Sequence, residues 1–170
     1  MPERLAALDT EVLLAIEGGA VNCVTAHSIL RSVGFLFRAT PTVMQELEKA
    51  QYDVRREYTA SLAQNLLGSG VLQALGVVST RMDDLKRDVT EIHARTMMER
   101  NMLEDAKYSN DGDIVALIEA AYADCVFFIT TNKELLDRSD ALSLALIQIC
   151  GMRALLIVHP DEIIEAFKTL

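Results

Sequence analysis

The chain has 170 residues, 51% of them hydrophobic and 5% aromatic, with only 8 Gly and 3 Pro; this suits one folded domain with an ordinary core and excludes a disordered or fibrous chain. Its 25 acids and 16 bases give a formal charge of -9, which argues against binding nucleic acid through an overall positive field. Local basic clusters occur at Arg55 and Arg56, Lys86 and Arg87, and Arg95 with Arg100, but each equally suits the solvated face of a helix.

RLAALD (residues 4 to 9) is a short apolar run closed by an acid and reads as a strand, followed by TEVLLAIEGG (10 to 19), helically spaced until a Gly pair caps it. VNCVTAHSILRSV (21 to 33) again has helical spacing and stops at Gly34, after which FLFRAT (35 to 40) reads as a second strand and Pro41 opens a helix. Val43, Leu47, Ala50, Val54, Tyr58, Leu62 and Leu66 then recur every three or four residues, which predicts one continuous helix of about seven turns ended by GSG at 68 to 70. VVST (77 to 80) is a third short strand, with Ser79 or Thr80 capping a helix whose apolar face is Met82, Leu85, Val89 and Ile92 and which extends toward Ala106.

SNDGDIVALIEAAYADC (109 to 125) opens with capping residues and acids, then repeats apolar residues as a helix, and VFFITT (126 to 131) is the most strand-like run in the chain. A Leu- and Ala-rich helix from Ser139 to Ile149 ends near Gly151, RALLIVH (153 to 159) is the last strand, and Pro160 begins the helix DEIIEAF. Strands apolar on both faces and separated by helices imply a single α/β domain over residues 1 to 170. Its centre would be a mainly parallel sheet of about five strands, flanked by helices on both sides as an α/β/α sandwich. In such sheets ligands gather at the carboxyl ends of the strands.

Those ends carry acids. Asp9 closes the first strand, Glu46 lies one turn into the helix after the second, Asp113 opens the helix before the fourth, and Asn132 follows the fourth. Taken singly, each acid also reads as a helix cap or dipole partner. Taken in order, LDTEVLL (8 to 14), PTVMQELEKA (41 to 50), DGDIVALIEAAYADCVFFITTNKELL (111 to 136) and RALLIVHPDEIIEAF (153 to 167) resemble the successive blocks of the PIN domain family over nearly the whole chain. Members of that family are mostly metal-dependent ribonucleases, among them the toxins of bacterial toxin-antitoxin pairs.

The resemblance implies a catalytic and metal-binding set of Asp9, Glu46 and Asp113, with Asp111 a neighbour able to substitute for the last, and Asn132 and Glu134 completing the shell around Mg²⁺ or Mn²⁺. Thr10 and Thr131 would position water or substrate. It further implies an RNA substrate, a protein partner such as an antitoxin, and a homodimer. Two positions depart from the family pattern: Glu11 stands where Asn is common, and Asn132 stands where an aspartate usually follows the threonine of the fourth strand. Clustered carboxylates repel and raise one another's pKa unless a hard cation offsets them. Asn132 offers an oxygen but no charge, so an added cation relies on Glu134 or Asp137 to compensate. The alternative reading is a PIN-fold module with impaired catalysis that binds RNA or protein.

The remaining chemistry-bearing residues imply less. Cys23, Cys125 and Cys150 are widely spaced among apolar neighbours and read as buried reduced thiols, which with the absence of a basic-apolar leader places the chain in the cytoplasm. No run approaches the ~18 apolar residues that span a membrane. His27, His93 and His159 lie in no ligand-spaced motif, and Met97, Met98 and Met102 read as helix packing. GxSxG, GxxxxGK and GxGxxG signatures are absent from the sequence, which demotes acyl transfer and nucleotide hydrolysis. A phosphate-receiver-like domain would need adjacent acids after the first strand, where Asp9 stands alone.

Overall fold

The computed structural model describes residues 3–80, 111–150 and 154–168. Five strands form one sheet, β1 (Arg4–Leu8), β2 (Phe35–Ala39), β3 (Val77–Ser79), β4 (Phe127–Ile129) and β5 (Leu156–Val158), in the order β3-β2-β1-β4-β5 with every pair parallel. Among the described residues the expected mainly parallel sheet is thus wholly parallel. Among the described residues the helices are α1 (Thr10–Glu17), α2 (Val21–Ser32), α3 (Pro41–Ala50), α4 (Glu57–Leu67), a single turn α5 (Val71–Ala74), α6 (Asp111–Tyr122), α7 (Lys133–Asp137), α8 (Ser139–Cys150) and α9 (Pro160–Ala166).

Alternate side chains of each strand enter one of two cores, as the pleat requires. Leu5, Ala7, Phe128 and Ile157 pack beneath α6, α7 and α8 through Leu117, Leu135 and Leu146. Ala6, Leu8, Phe37 and Ile129 face the other way, against Leu13 of α1, Leu30 of α2, Leu47 of α3, Leu66 of α4 and Ile163 of α9. Burial on both faces explains why the strands read as apolar runs rather than as alternating ones. Gly34 (φ +95°) and Gly76 (φ +74°) turn the chain into β2 and β3 with backbone angles that side chains resist.

The continuous helix expected from Thr42 to Leu66 is instead two helices. α3 ends at Ala50, a 3-10 turn spans Val54–Arg56, and α4 starts at Glu57. The apolar stripe is not one buried face here: Val54 and Tyr58 are 82% and 70% exposed. Asp53 caps the break by accepting the Arg55 N–H at 3.1 Å, and Gln64 donates to the Gln51 carbonyl at 3.1 Å as α4 folds back along α3. The expected helix carrying Met82, Leu85, Val89 and Ile92 lies outside the described residues, as do His93, Met97, Met98 and Met102.

Cys23 and Cys125 are buried free thiols, the second pushed up to about 12 mainly by burial. His27 is a satisfied core residue, its Nε2 2.8 Å from the Leu75 carbonyl and its ring 4.6 Å from that of Phe37. Among the described residues no single helix is long and apolar enough to cross a membrane.

Candidate functional site

The strand order reverses direction between β1 and β4, since β2 and β3 lie to one side of β1 and β4 and β5 to the other. A crevice opens at such a switch point, at the carboxyl ends of the two central strands. Extending the parallel registers to the first residue past each strand aligns Thr80, Thr40, Asp9, Thr130 and His159. The ladder itself continues into this row, with the Asp9 N–H donating to the Ile129 carbonyl and the Thr130 N–H to that of Val158, each at 3.0 Å. Five apolar strands therefore end in five polar side chains on one line. Three of them, Thr40, Asp9 and His159, are also the caps of α3, α1 and α9.

Asp9 sits at the middle of the row and is 7% exposed. Its Oδ1 accepts the Thr10 N–H at 2.8 Å, and its Oδ2 accepts the Thr130 hydroxyl at 2.7 Å. Burial pushes its carboxyl up to about 6; the two hydrogen bonds oppose this, and the charges of Asp113 and Glu46 add to it. The adjacent Thr10 reaches both ways, its N–H on Asp9 and its hydroxyl donating to Oε2 of Glu46 on α3. Glu46 is half-buried, and its carboxyl is raised by burial, with the Thr10 bond opposing and the Asp113 and Glu11 charges reinforcing the shift.

Asp113, in the first turn of α6, accepts the Asn132 side-chain amide at 3.0 Å. Asn132 in turn donates its backbone N–H to the Thr130 hydroxyl oxygen, and its Oδ1 accepts the Glu134 N–H as the cap of α7, both at 3.0 Å. A continuous path of hydrogen bonds thus links Glu46 through Thr10 to Asp9, and Asp9 through Thr130 and Asn132 to Asp113. The structure brings Asp9, Thr10, Glu46, Asp113 and Asn132 together, while Thr131 and Glu134 lie exposed beside them.

The motif reading missed Thr130, which is fully buried and is the threonine on Asp9. Strand parity carries that signal: Thr130 follows Phe128 on the face that Ala7 and Asp9 share, whereas Thr131 does not. A second omission is Glu119 of α6, 1% exposed, whose Oε1 accepts the Thr42 N–H at 3.0 Å.

The charges of Asp113 and Glu46 act on Asp9 and that of Asp113 on Glu46, and carboxylate oxygens are the kind of donor that a hard divalent cation takes. In the structure each is turned to a hydrogen-bond donor, and among the described residues no group of three acids, thiols or imidazoles is gathered in ligating geometry.

An all-parallel sheet in this order, with acids at its carboxyl edge, is the α/β architecture that the PIN resemblance implies. The chain superposes on a chain of VapBC2 from Rickettsia felis, solved bound to a DNA fragment from its promoter, with a TM-score of 0.58 and 12% sequence identity. The match covers 91% of this chain and 98% of that one, and it is a likeness of fold. No family model and no curated protein matches the sequence.

Proposed function

We propose that the chain is a single-domain, metal-dependent endoribonuclease of PIN type, with Asp9, Glu46 and Asp113 holding Mg²⁺ or Mn²⁺. The observation that carries this reading is Asp9 itself. A carboxylate buried at the switch point, held by two donors and flanked by two further acids, costs folding free energy that a cation would offset. When bound, such a cation lowers the pKa of a water and offsets charge developing on a phosphodiester.

The protein's own residues prepare that chemistry. Thr130 and the Thr10 N–H fix both oxygens of Asp9, and the Thr10 hydroxyl fixes one oxygen of Glu46. Asn132 orients Asp113 without adding a fourth negative charge to the cleft. Glu134, exposed in the first turn of α7 with its N–H on Asn132, would offer a further oxygen to complete the shell. An RNA substrate, an antitoxin-like protein partner and a homodimer belong to the same reading through the resemblance of the sequence motifs, and a cytoplasmic setting through the buried thiols.

A second reading, a PIN-fold module that binds RNA or protein without cutting, is favoured by Asn132, whose side chain is spent on Asp113 and on the cap of α7. Cleavage of a mixed structured RNA in Mn²⁺, in Mg²⁺ and in chelator, with Asp9→Asn alongside, separates the two. Metal-dependent cleavage lost in the variant supports the nuclease; no cleavage by either protein supports the binding module.

A further inference from the structure

The first turn of α3 satisfies its free donors in an unusual way. Thr40 caps the helix and Pro41 brings no N–H; the Val43 N–H reaches the Thr40 hydroxyl at a long 3.4 Å, and the Thr42 N–H leaves the helix altogether for Glu119 on α6. Glu119 is 1% exposed, and neither its second oxygen nor the Thr42 hydroxyl has a hydrogen-bond partner among the described residues. A buried, half-satisfied carboxylate is a liability if packing is its only task, because an apolar side chain would fill the space without the desolvation cost.

What the carboxylate accomplishes is a fixed distance. Glu46 follows Thr42 by one helical turn, about 6 Å along the same face of α3, and Asp113 precedes Glu119 by about 9 Å on α6. The Thr42 bond to Glu119 therefore ties the helix that carries Glu46 to the helix that carries Asp113. Val43 and Leu47 anchor the body of α3 in the core, and the Thr10 bond to Glu46 holds its acid, so releasing Glu119 would loosen the first turn of the helix and shift the acid it presents.

We infer that Glu119 is a positioning residue that, by clamping the N-terminus of α3 to α6, sets the separation of Glu46 from Asp113 and hence the width of the acidic cleft. This rests on the metal-site reading above. The test compares Glu119→Ala with Glu119→Gln, whose carboxamide oxygen can still accept the Thr42 N–H, by amide exchange in chelator and by calorimetric Mn²⁺ titration. In Glu119→Ala, exchange at residues 42 to 46 should accelerate while that of α2 holds, and Mn²⁺ affinity should fall about tenfold, as for other outer-shell supports. Glu119→Gln should restore Mn²⁺ affinity to within about threefold of wild type.

Unchanged exchange at the start of α3 overturns the clamp. Wild-type Mn²⁺ affinity in a destabilised Glu119→Ala protein leaves Glu119 a packing residue and overturns the positioning role. A wild-type protein that binds no Mn²⁺ sinks the metal-site reading itself, a result distinct from wild type and Glu119→Ala binding Mn²⁺ equally.

Discussion

Replacing Asp9 with Asn should stabilise the protein in chelator while abolishing its response to metal. The Asp9 carboxyl rises from 3.8 to about 6 on folding, so between those pH values the native state holds a proton that the unfolded state has released. Stability therefore falls as pH rises through this window and stays low above it. The shift of about two units corresponds to ~3 kcal/mol of folding stability forfeited at pH 7.5. Asn removes the charge and leaves one oxygen for the Thr10 N–H, while the Thr130 hydroxyl must turn to accept from the new amide, a rearrangement costing ~1 kcal/mol. The net gain of ~2 kcal/mol should move the urea midpoint up by roughly 1 M at pH 7.5, and by much less at pH 4.5. Adding Mn²⁺ should then raise the midpoint of wild type but not of Asp9→Asn, since only a state that binds the ligand is stabilised. A variant no more stable than wild type in chelator, or a difference that does not grow with pH, would refute the assignment of a strained, buried carboxylate at this position.

Other outcomes follow from the same geometry. Thr130→Val removes a fully buried hydroxyl that donates to Asp9 and accepts from the Asn132 N–H; it should cost ~1–3 kcal/mol in urea unfolding, with Thr130→Ser restoring most of it, and equal stability of the Val variant would count against the bond. Asn132→Asp keeps a good cap for α7 but sets a charge beside Asp113; it should lower stability in chelator and tighten Mn²⁺ binding by calorimetry, and an unchanged affinity would place the cation elsewhere. Cys23 and Cys125, both buried with thiols raised above their ordinary value, should resist alkylation at pH 8 until denaturant is added, as peptide mapping by mass spectrometry would show.

Much of the fold was legible in the chain because its signals are local. Apolar runs such as VFFI and the 3.6-residue spacing in VNCVTAHSILRS report burial directly, and Pro41, Pro160 and Asp9 mark helix starts through one or two backbone bonds. The order of strands and helices, and with it the carboxyl edge where the acids lie, follows from that alternation. Periodicity misled at the Asp53 turn: the stripe through Val54 and Tyr58 continues in sequence, but both side chains stay exposed and the chain turns back as α4.

By itself, then, the sequence determined the kinds of element, their order and the acids at their ends, because propensity, capping and hydrophobic period act within a few residues. Which side chain meets which across the edge was decided by tertiary structure alone. The parallel register, not the motif, sets Thr130 rather than Thr131 against Asp9, and the packing of α3 on α6 brings Glu119 to Thr42 across 77 residues of chain. Such contacts depend on inter-strand register and helix placement fixed by the whole core, which alternation within one strand does not encode.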